Sequence, residues 1–254
     1  MSAPQSLTTT MANGVTNAAA YQTMAQAGQP DPSWSHTYHN DFDTFLASDW
    51  TITKTGTGTV ALTPGDGGLL LLTNTTGAAD AIYMQLVAAG FKMVPGKDVF
   101  FKFSGTLSAV IQDVFYAGLL ATTTTPNTTQ DAVYILKPAA SAQLQLVTVI
   151  GGVSTVVNFP ATAIPAAGVA FEVGFHIDYL GNVEAFFNPT TGADWQQLGP
   201  ASTSAGAMTT RGRVVASFTP TMTTAVLNPS FGLLNSTGVA NTLTVDYVTA
   251  VRNR

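Results

Sequence analysis

WTITKTGTGTVALTPGDGGLLLLT, at residues 50–73, is the stretch of sequence that decides the fold. Its apolar residues Ile52, Val60 and Leu62 alternate with threonines, and this period of two is typical of half-buried β-strands. Two glycine-rich turns interrupt the alternation, so the stretch predicts three short strands. The last strand-like run, TLTVDYVTAV at residues 242–251, alternates in the same way. A two-sheet sandwich whose first and last strands lie side by side accounts for both stretches.

This arrangement predicts that residues 50–54 or residues 59–63 share a sheet with the last strand. Between the two stretches, short apolar runs alternate with Gly, Pro and Asp, and Gly151-Gly152 and Gly181 mark two hairpins. About fourteen strands and no convincing helix make the predicted fold all-β, a two-sheet antiparallel jelly-roll sandwich. The other predicted strands lie at residues 81–87, 99–106, 114–121, 132–137, 142–149, 153–159, 169–178, 183–188, 213–218 and 231–235.

Composition limits the function classes. The 254 residues suit one large all-β domain with an appendage, or two small domains. Only 9% of them are charged, against about 25% in ordinary soluble domains. A net charge of −5 argues against nucleic acid as a direct partner, because phosphate binding needs clustered Lys and Arg. There is no cysteine, secretory signal or long apolar run, so we expect no thiol chemistry and no membrane partner.

The first forty residues differ from the rest. Residues 1–30 contain no charged side chain, although disordered tails are usually kept solvated by charge. Residues 15–27 have the composition of a short helix, and residues 29–40 (QPDPSWSHTYHN) are typical of an extended linker. We therefore predict an N-terminal arm and linker at residues 1–40 and a jelly-roll domain at residues 41–254. The side chains expected to bury themselves against other chains are Val15, Tyr21, Met24, Trp34 and Tyr38.

Four titratable residues are the strongest candidates for catalysis: Glu172, His176, Asp178 and Glu184. In a strand, Glu172 and His176 point to one face, and the following hairpin would bring Glu184 near Asp178. A pair of carboxylates on one sheet face is what a glycosidase requires. The same strand offers no aromatic platform on that face, so the sequence favours an ordinary solvated sheet face. A Ser-His-Asp triad would have to use His176, and no Gly-x-Ser-x-Gly element accompanies it.

The other motifs favour structural interpretations. His36 and His39 precede Asp41 and Asp43 at a spacing that a metal could use, but a linker lacks the rigidity of a metal site. The turn at residues 65–68 lacks the Lys and Ser or Thr of a phosphate-binding loop. No metal or other cofactor is predicted. Five aromatic residues are expected to be core or sheet-face residues rather than a ligand platform: Phe100, Phe101, Phe103, Phe115 and Tyr116. Glycosylation sequons at Asn74, Asn127 and Asn235 are attributed to chance in a Thr-rich chain.

Short motifs from residue 41 to the end resemble the capsid-associated proteins of tailed bacteriophages that carry a concanavalin A-like (lectin/glucanase) jelly roll. These motifs cover about four fifths of the chain. They are Phe42 and Phe45 before Trp50, Gly67-Gly68 before Leu69, Ala79-Asp80-Ala81-Ile82-Tyr83, Pro95-Gly96-Lys97 before Phe100-Phe101, Ala117-Gly118-Leu119, Ala132-Val133-Tyr134 and Thr244-Val245-Asp246-Tyr247-Val248.

The resemblance implies a non-enzymatic virion structural protein, a head decoration or cement protein that binds outside the shell of major capsid protein and stabilises it. It further implies a homo-oligomer, dimer or trimer, on the capsid exterior, assembled in the host cytoplasm. Laminarinase-type glucanases with this jelly roll carry Glu-x-Asp-x-x-Glu on one strand, and the segment at Glu172 does not match it. The alternative is a carbohydrate-binding module of a phage tail fibre or another surface structure. Host glycan is then the ligand.

Overall fold

The computed structural model describes residues 35–65, 67–88, 90–110, 113–122, 130–139, 141–161, 163–189, 196–197, 216–217 and 225–254. Within these ranges the chain forms seventeen strands and one 3₁₀ turn, Ala47–Asp49. The strands are β1 (Ser35–Asn40), β2 (Trp50–Thr55), β3 (Thr59–Thr63), β4 (Leu69–Thr73), β5 (Ala81–Leu86), β6 (Phe91–Lys92), β7 (Val99–Leu107), β8 (Asp113–Leu120), β9 (Ala132–Lys137), β10 (Gln145–Ile150), β11 (Val153–Asn158), β12 (Ala170–Ile177), β13 (Asn182–Asn188), β14 (Gln196–Gln197), β15 (Ala216–Ser217), β16 (Val226–Asn235) and β17 (Thr242–Asn253).

The strands form two antiparallel sheets, which confirms the predicted sandwich. The nine-stranded sheet has the order β14-β13-β12-β7-β17-β4-β3, with β1 also paired to β17 and β15 to β13. The eight-stranded sheet has the order β11-β10-β9-β8-β16-β5-β2, with β6 paired to β16. Every strand pair is antiparallel, and neighbouring strands are often distant in sequence, which is the crossover pattern of a jelly roll.

The core lies between the two sheets and is rich in aromatic residues. In β12 the apolar residues at odd positions from Phe171 to Ile177 face this core, as the alternation predicted. Phe231 lies at the centre: its ring is 5.2 Å from Trp50, 6.1 Å from Phe42 and 5.7 Å from Phe103. Edge-to-face and tilted aromatic contacts of this kind add to the free energy of burial. Phe101, Phe103 and Phe115 are fully buried, which confirms their assignment to the core.

The first and last described strands are neighbours. β1 pairs with β17 from Ser35 opposite Asn253 to Asn40 opposite Val248. β3 lies in the same sheet as β17, through β4, whereas β2 pairs with β5 in the other sheet. In the structure, residues 35–40 therefore differ from the predicted extended linker. Their sequence SHTYHN forms a strand that pairs with β17 instead of crossing open solvent.

A close backbone contact fixes the turn between β3 and β4. Phe42 adopts a φ of 58°, and Gly68, with a φ of 81°, packs against it. A Cβ atom on Gly68 would lie 2.4 Å from the backbone nitrogen of Asp43, so only glycine fits. This contact allows the Phe42 ring to enter the core beside Trp50. The glycine turn seen in the sequence thus positions the chain that leads out of β1.

Candidate functional site

Glu172 is the centre of a buried polar cluster on the outer face of the nine-stranded sheet. Its Oε1 lies 3.0 Å from Lys102 Nζ and accepts a hydrogen bond from the Tyr247 hydroxyl, while its Oε2 accepts one from Asn188 Nδ2 at 3.0 Å. The Glu172 side chain is only 6% exposed. Burial and the Glu172 carboxylate together raise the pKa of Tyr247 far above its usual value. Within the described residues, the charge of this carboxylate is therefore compensated by Lys102, and its oxygens accept hydrogen bonds from Tyr247 and Asn188.

The prediction of a solvated sheet face is therefore wrong at Glu172, whose side chain is buried. Sequence alternation correctly placed Glu172 on the face away from the core, but it did not show which side chains lie beside it. Lys102 comes from β7, which pairs with β12, and Tyr247 comes from β17, which lies on the other side of β7. A bulge between Val245 and Tyr247 shifts the register there, so that Tyr247 lies opposite Ser104. The cluster therefore depends on pairings between segments about seventy residues apart.

The three other candidate acids and bases do not join Glu172. His176 lies opposite Glu184, stacks on Phe100 with ring centroids 4.4 Å apart, and has Asp98 at 3.5 Å. Glu184 lies opposite His176, and His176 is four residues along the strand from Glu172. The Cα atoms of Glu172 and Glu184 are therefore about 13 Å apart along the strand direction. Paired glycosidase carboxylates are separated by about 5–9.5 Å. The hairpin thus brings Glu184 beside His176 rather than beside Asp178.

Asp178 stabilises the turn between β12 and β13. Its carboxylate accepts hydrogen bonds from the backbone nitrogens of Leu180 and Asn182, both at 2.8 Å, and from Asn182 Nδ2 at 2.7 Å. Partial burial works against the charged form, but the bonds from Asn182 and Leu180 outweigh it and lower the pKa of Asp178. All these bonds are local, so this candidate residue has a structural role in the hairpin.

The histidines of β1 point to opposite faces, as residues three apart in a strand must. The His36 ring lies 4.6 Å from the Phe91 ring, and His39 Nδ1 is 2.7 Å from Thr249 Oγ1. Across the described residues, no group of three His, Asp or Glu side chains is placed to hold a metal ion. The weak metal spacing of His36, His39, Asp41 and Asp43 is therefore not assembled into a site.

A row of tyrosines lies on the outer face of the eight-stranded sheet. The ring of Tyr116 is 5.7 Å from that of Tyr83 and 6.3 Å from that of Tyr134. Tyr116 and Tyr134 are 3% and 4% exposed and form a second apolar cluster with Val147 and its neighbours. Burial raises the pKa of Tyr116 well above its usual value. A ligand platform needs open aromatic faces, so these two tyrosines act as packing residues.

One of the five predicted interface residues lies in the described part of the chain. Tyr38, on β1, is partly buried against the core of its own chain, and its ring meets Trp50 edge-on at 6.3 Å. Its hydroxyl accepts a hydrogen bond from Asn40 Nδ2 at 3.3 Å. The other four lie outside the described residues: Val15, Tyr21, Met24 and Trp34. The prediction of contacts with other chains stays a prediction for all five.

The end of the sandwich at which β1 begins, here called the arm end, carries most of the exposed apolar side chains. A hydrogen bond of 3.1 Å from Arg252 Nη1 to the Lys92 carbonyl and the His36–Phe91 contact join the two sheets there. Seven of the twelve large apolar residues exposed in the described chain lie at this end, each 39–71% exposed. They are Leu46, Val87, Val94, Val153, Tyr179, Leu180 and Val226.

The opposite end, here called the far end, is closed by inward-facing polar side chains: Asn74, Asp113, Lys137, Asn235 and Asn241. All five are at most 1% exposed. Burial lowers the pKa of Lys137 to about 8, and burial raises that of Asp113 while the Asn241 hydrogen bond and the Lys137 charge lower it. Asn74 and Asn235 are fully buried and their amide nitrogens donate hydrogen bonds within the fold, so two of the three sequons are inaccessible. Asn127 lies outside the described residues.

Sequence reasoning did not identify this far-end polar cluster or the apolar arm end. The cluster joins residues from five separate segments, each at or next to the end of a strand, and the sequence does not show which strand ends meet. The one available signal was Lys137, a charge directly following AVYIL. The exposed residues of the arm end lie in turns, where single apolar residues are common and predict nothing by themselves.

Comparisons with known proteins show the fold. No family model and no curated protein matches the sequence. Among solved structures, a protein of unknown function from Shewanella oneidensis is 12% identical, with a TM-score of 0.55 over 89% of this chain and 95% of that one. An endo-1,3-beta-glucanase from Streptomyces sioyaensis is also 12% identical, with a TM-score of 0.54 over 89% and 99%. Peanut lectin is 9% identical, with a TM-score of 0.53 over 86% and 97%.

These structures have the lectin/glucanase type of jelly roll, so the concanavalin A-like fold is confirmed. At 9–12% identity, the likeness concerns architecture alone. The set includes a lectin and a glucanase, so it does not distinguish binding from catalysis. In the described residues, no helix combines the length and the apolar character that crossing a membrane requires.

Proposed function

We propose that this protein is a non-enzymatic structural protein of a virion, a decoration or cement protein that binds the outside of a tailed-phage capsid and stabilises it. The observation that carries the proposal is the apolar arm end. Exposed Val, Leu and Tyr side chains are concentrated at the end of the sandwich that residues 1–34 precede, and residues 1–30 of that arm carry no charge. Exposed apolar groups concentrated in one region are typical of an interaction surface.

The arm and the arm end form one attachment region in this proposal. Fully burying a large apolar side chain contributes about 1.5–3 kcal/mol. Tyr179 and Leu180 form the tip of the β12–β13 hairpin, and the Tyr179 carbonyl accepts a hydrogen bond from the backbone of Gly96, which holds the tip in place. A rigid apolar tip loses little entropy on binding. Repetition over a symmetric shell then adds avidity to contacts that are individually weak.

The partners in this proposal are the major capsid protein and other copies of this chain, as a dimer or trimer. β11 supports self-association: in the described chain it pairs with β10 alone, and its sequence VSTVVN has no charge and no proline. Edge strands that stay monomeric usually carry lysine, proline or a bulge. Val153 and Val156 are also exposed on this strand. The proposed location is the capsid exterior, after assembly in the host cytoplasm.

The non-enzymatic part of the proposal is supported by Glu172. Its carboxylate is held by Lys102, Tyr247 and Asn188, and Glu184 is too distant to act with it as a glycosidase pair. A catalytic role for the pair is tested by Glu172→Gln and Glu184→Gln variants assayed on β-glucans. Hydrolysis by the parent that both variants lose would contradict the proposal.

Co-sedimentation tests the attachment. Purified full-length protein is mixed with capsids that lack it, and the bound fraction is compared with that of a Tyr179→Ser, Leu180→Ser variant. We expect saturable binding by the parent and at least a tenfold loss of affinity for the variant, since two apolar contacts are removed. Val239→Ser, an exposed apolar position at the far end, is the matched control and should bind like the parent. Failure of the parent to bind would overturn the proposal.

A carbohydrate-binding module is the second candidate, and the lectin-like fold supports it. Aromatic stacking on sugars requires exposed aromatic residues, and Tyr179 is 58% exposed. Tyr116 and Tyr134 are buried and do not offer such faces. A glycan array probed with the parent and with Tyr179→Ala tests this function. Binding that Tyr179→Ala abolishes would favour a sugar-binding module, and no signal at high protein concentration would exclude it.

A further inference from the structure

Three buried oxygen atoms in the far-end polar cluster lack hydrogen-bond donors. They are Asn74 Oδ1, Asp113 Oδ2 and Asn241 Oδ1, and each belongs to a side chain that is at most 1% exposed. Leaving a buried polar atom without a partner costs about 1–3 kcal/mol. All three are acceptors, so the group that satisfies them must be electropositive.

The other atoms of the same side chains fix the orientation of both amides. Asn74 Nδ2 donates to the carbonyls of Asp80 at 3.1 Å and Leu233 at 3.3 Å. Asn241 Nδ2 donates to Asp113 Oδ1. Turning either amide over would place its oxygen against another acceptor and break these bonds. The carbonyl oxygens are therefore the atoms left for a ligand.

The three residues form one connected cluster that bridges the sheets. Asp113 begins β8 of the eight-stranded sheet, while Asn74 and Asn241 flank β4 and β17 of the nine-stranded sheet. The side chains of Asp113 and Asn241 are hydrogen-bonded, and the backbone nitrogen of Asn74 donates to the Asn241 carbonyl at 2.9 Å. A ligand bound by the three oxygens would connect the two sheets at this end of the core.

The charges of the cluster favour a single positive charge. Asp113 is its one carboxylate, and Lys137 Nζ donates to the carbonyls of Pro138 at 3.2 Å and Ser141 at 3.3 Å. A buried carboxylate needs a close positive partner, but the nearby ammonium of Lys137 disfavours a second full charge. Calcium sites in proteins usually gather several carboxylates. A site of one carboxylate and two amide oxygens, with the Lys137 ammonium nearby, suits a monovalent ion such as sodium or potassium.

We propose that Asn74 Oδ1, Asp113 Oδ2 and Asn241 Oδ1 bind a sodium or potassium ion that joins the two sheets at the far end of the core. The absence of three clustered His, Asp or Glu residues from the described chain is compatible with this site, because two of its three side-chain ligands are amides. The bound ion compensates the buried carboxylate and satisfies the amide oxygens. Its role is to stabilise the domain.

Thermal unfolding of the full chain tests the proposal in NaCl, KCl and choline chloride at equal ionic strength, with CaCl₂ as a further arm. At a metal-ion concentration about 100 times the Kd, we expect Tm to rise by about 5–10 °C over choline. In Asn74→Ala and Asn241→Ala this cation-dependent rise should disappear. Asn188→Ala, which removes an equally buried amide from the Glu172 cluster, is the matched control and should keep it.

A crystal grown in rubidium chloride gives a second readout that does not depend on the variants folding. We expect an anomalous-scattering peak within coordination distance of the three oxygens. An ordered water without anomalous signal at that position, with equal Tm values in all the salts, would overturn the proposal. Stabilisation by calcium but not by sodium or potassium would overturn the assignment to a monovalent ion.

Discussion

Replacing Glu172 with glutamine is expected to destabilise the domain substantially. The Glu172 side chain is 6% exposed, and its Oε1 lies 3.0 Å from the Nζ of Lys102, which is 19% exposed. Removing one partner of a buried ion pair typically costs about 3–5 kcal/mol, and the partial exposure of Lys102 places the expected cost near 3 kcal/mol. In a domain of this size, that loss lowers Tm by about 6–12 °C.

A double-mutant cycle provides the assay. Urea unfolding of Glu172→Gln, Lys102→Met and the double variant gives three free-energy differences, from which the coupling energy is calculated. Because each single variant leaves an uncompensated buried group, we expect the double variant to lose less stability than the sum of the singles. Glu184→Gln, the same change at a partly exposed position of β13, should cost less. Additive effects at Glu172 and Lys102 would refute the reasoning that this pair stabilises the sheet.

Three further perturbations test the core, a buried charge and the strand β1. Phe231→Ala should cost about 3–5 kcal/mol in urea unfolding, because it opens a cavity at the centre of the aromatic core; a loss below 1 kcal/mol would contradict this packing. Burial lowers the pKa of Lys137 to about 8 from 10.5, so the unfolded chain binds more protons above that pH. The free energy of unfolding should therefore rise from about pH 8 to 10, and Lys137→Met should flatten that rise. A rise that is equally steep in Lys137→Met would contradict the lowered pKa of Lys137. Deleting residues 1–34 should preserve the cooperative thermal transition, whereas deleting residues 1–40 should lower Tm by exposing the edge of β17; equal Tm values would show that β1 contributes no stability.

Period-two patterning and glycine turns predicted most of the strands. β9 (Ala132–Lys137) matches its predicted bounds, and Gly151-Gly152 forms the expected hairpin turn with two positive φ angles. Both signals are local: alternation shows which side of a strand faces the core, and glycine permits the turn. The two-sheet architecture followed because so many short alternating strands can bury their apolar faces only by packing sheet against sheet.

The strands that were missed are stabilised by pairing rather than by their own sequence. β1 is polar throughout and is ordered by β17, which precedes the C-terminus. β16 begins at Val226, five residues before its prediction, because Asn228 and Pro229 have low strand propensity and obscured the pattern. β6 has only two residues and pairs with the start of β16.

The candidate sites were less predictable for a related reason. Alternation located Glu172 on the outer face, but Lys102 and Tyr247 become its partners only once β7 lies between β12 and β17. The far-end polar cluster likewise requires knowledge of strand order and of which ends meet. The functional resemblance rested on short apolar motifs, which specify a jelly roll much better than they specify its partner.

Cross-linking of intact particles, followed by mass spectrometry, tests the central claim most directly. Lys92 and Lys97 lie at the arm end, and Lys54 lies on β2 away from it. The account predicts that the protein is present on the particle and that Lys92 and Lys97 are cross-linked to the major capsid protein, with far fewer such links from Lys54. Absence of the protein from particles, or capsid links that arise mainly from Lys54, would contradict attachment of a decoration protein through its arm end.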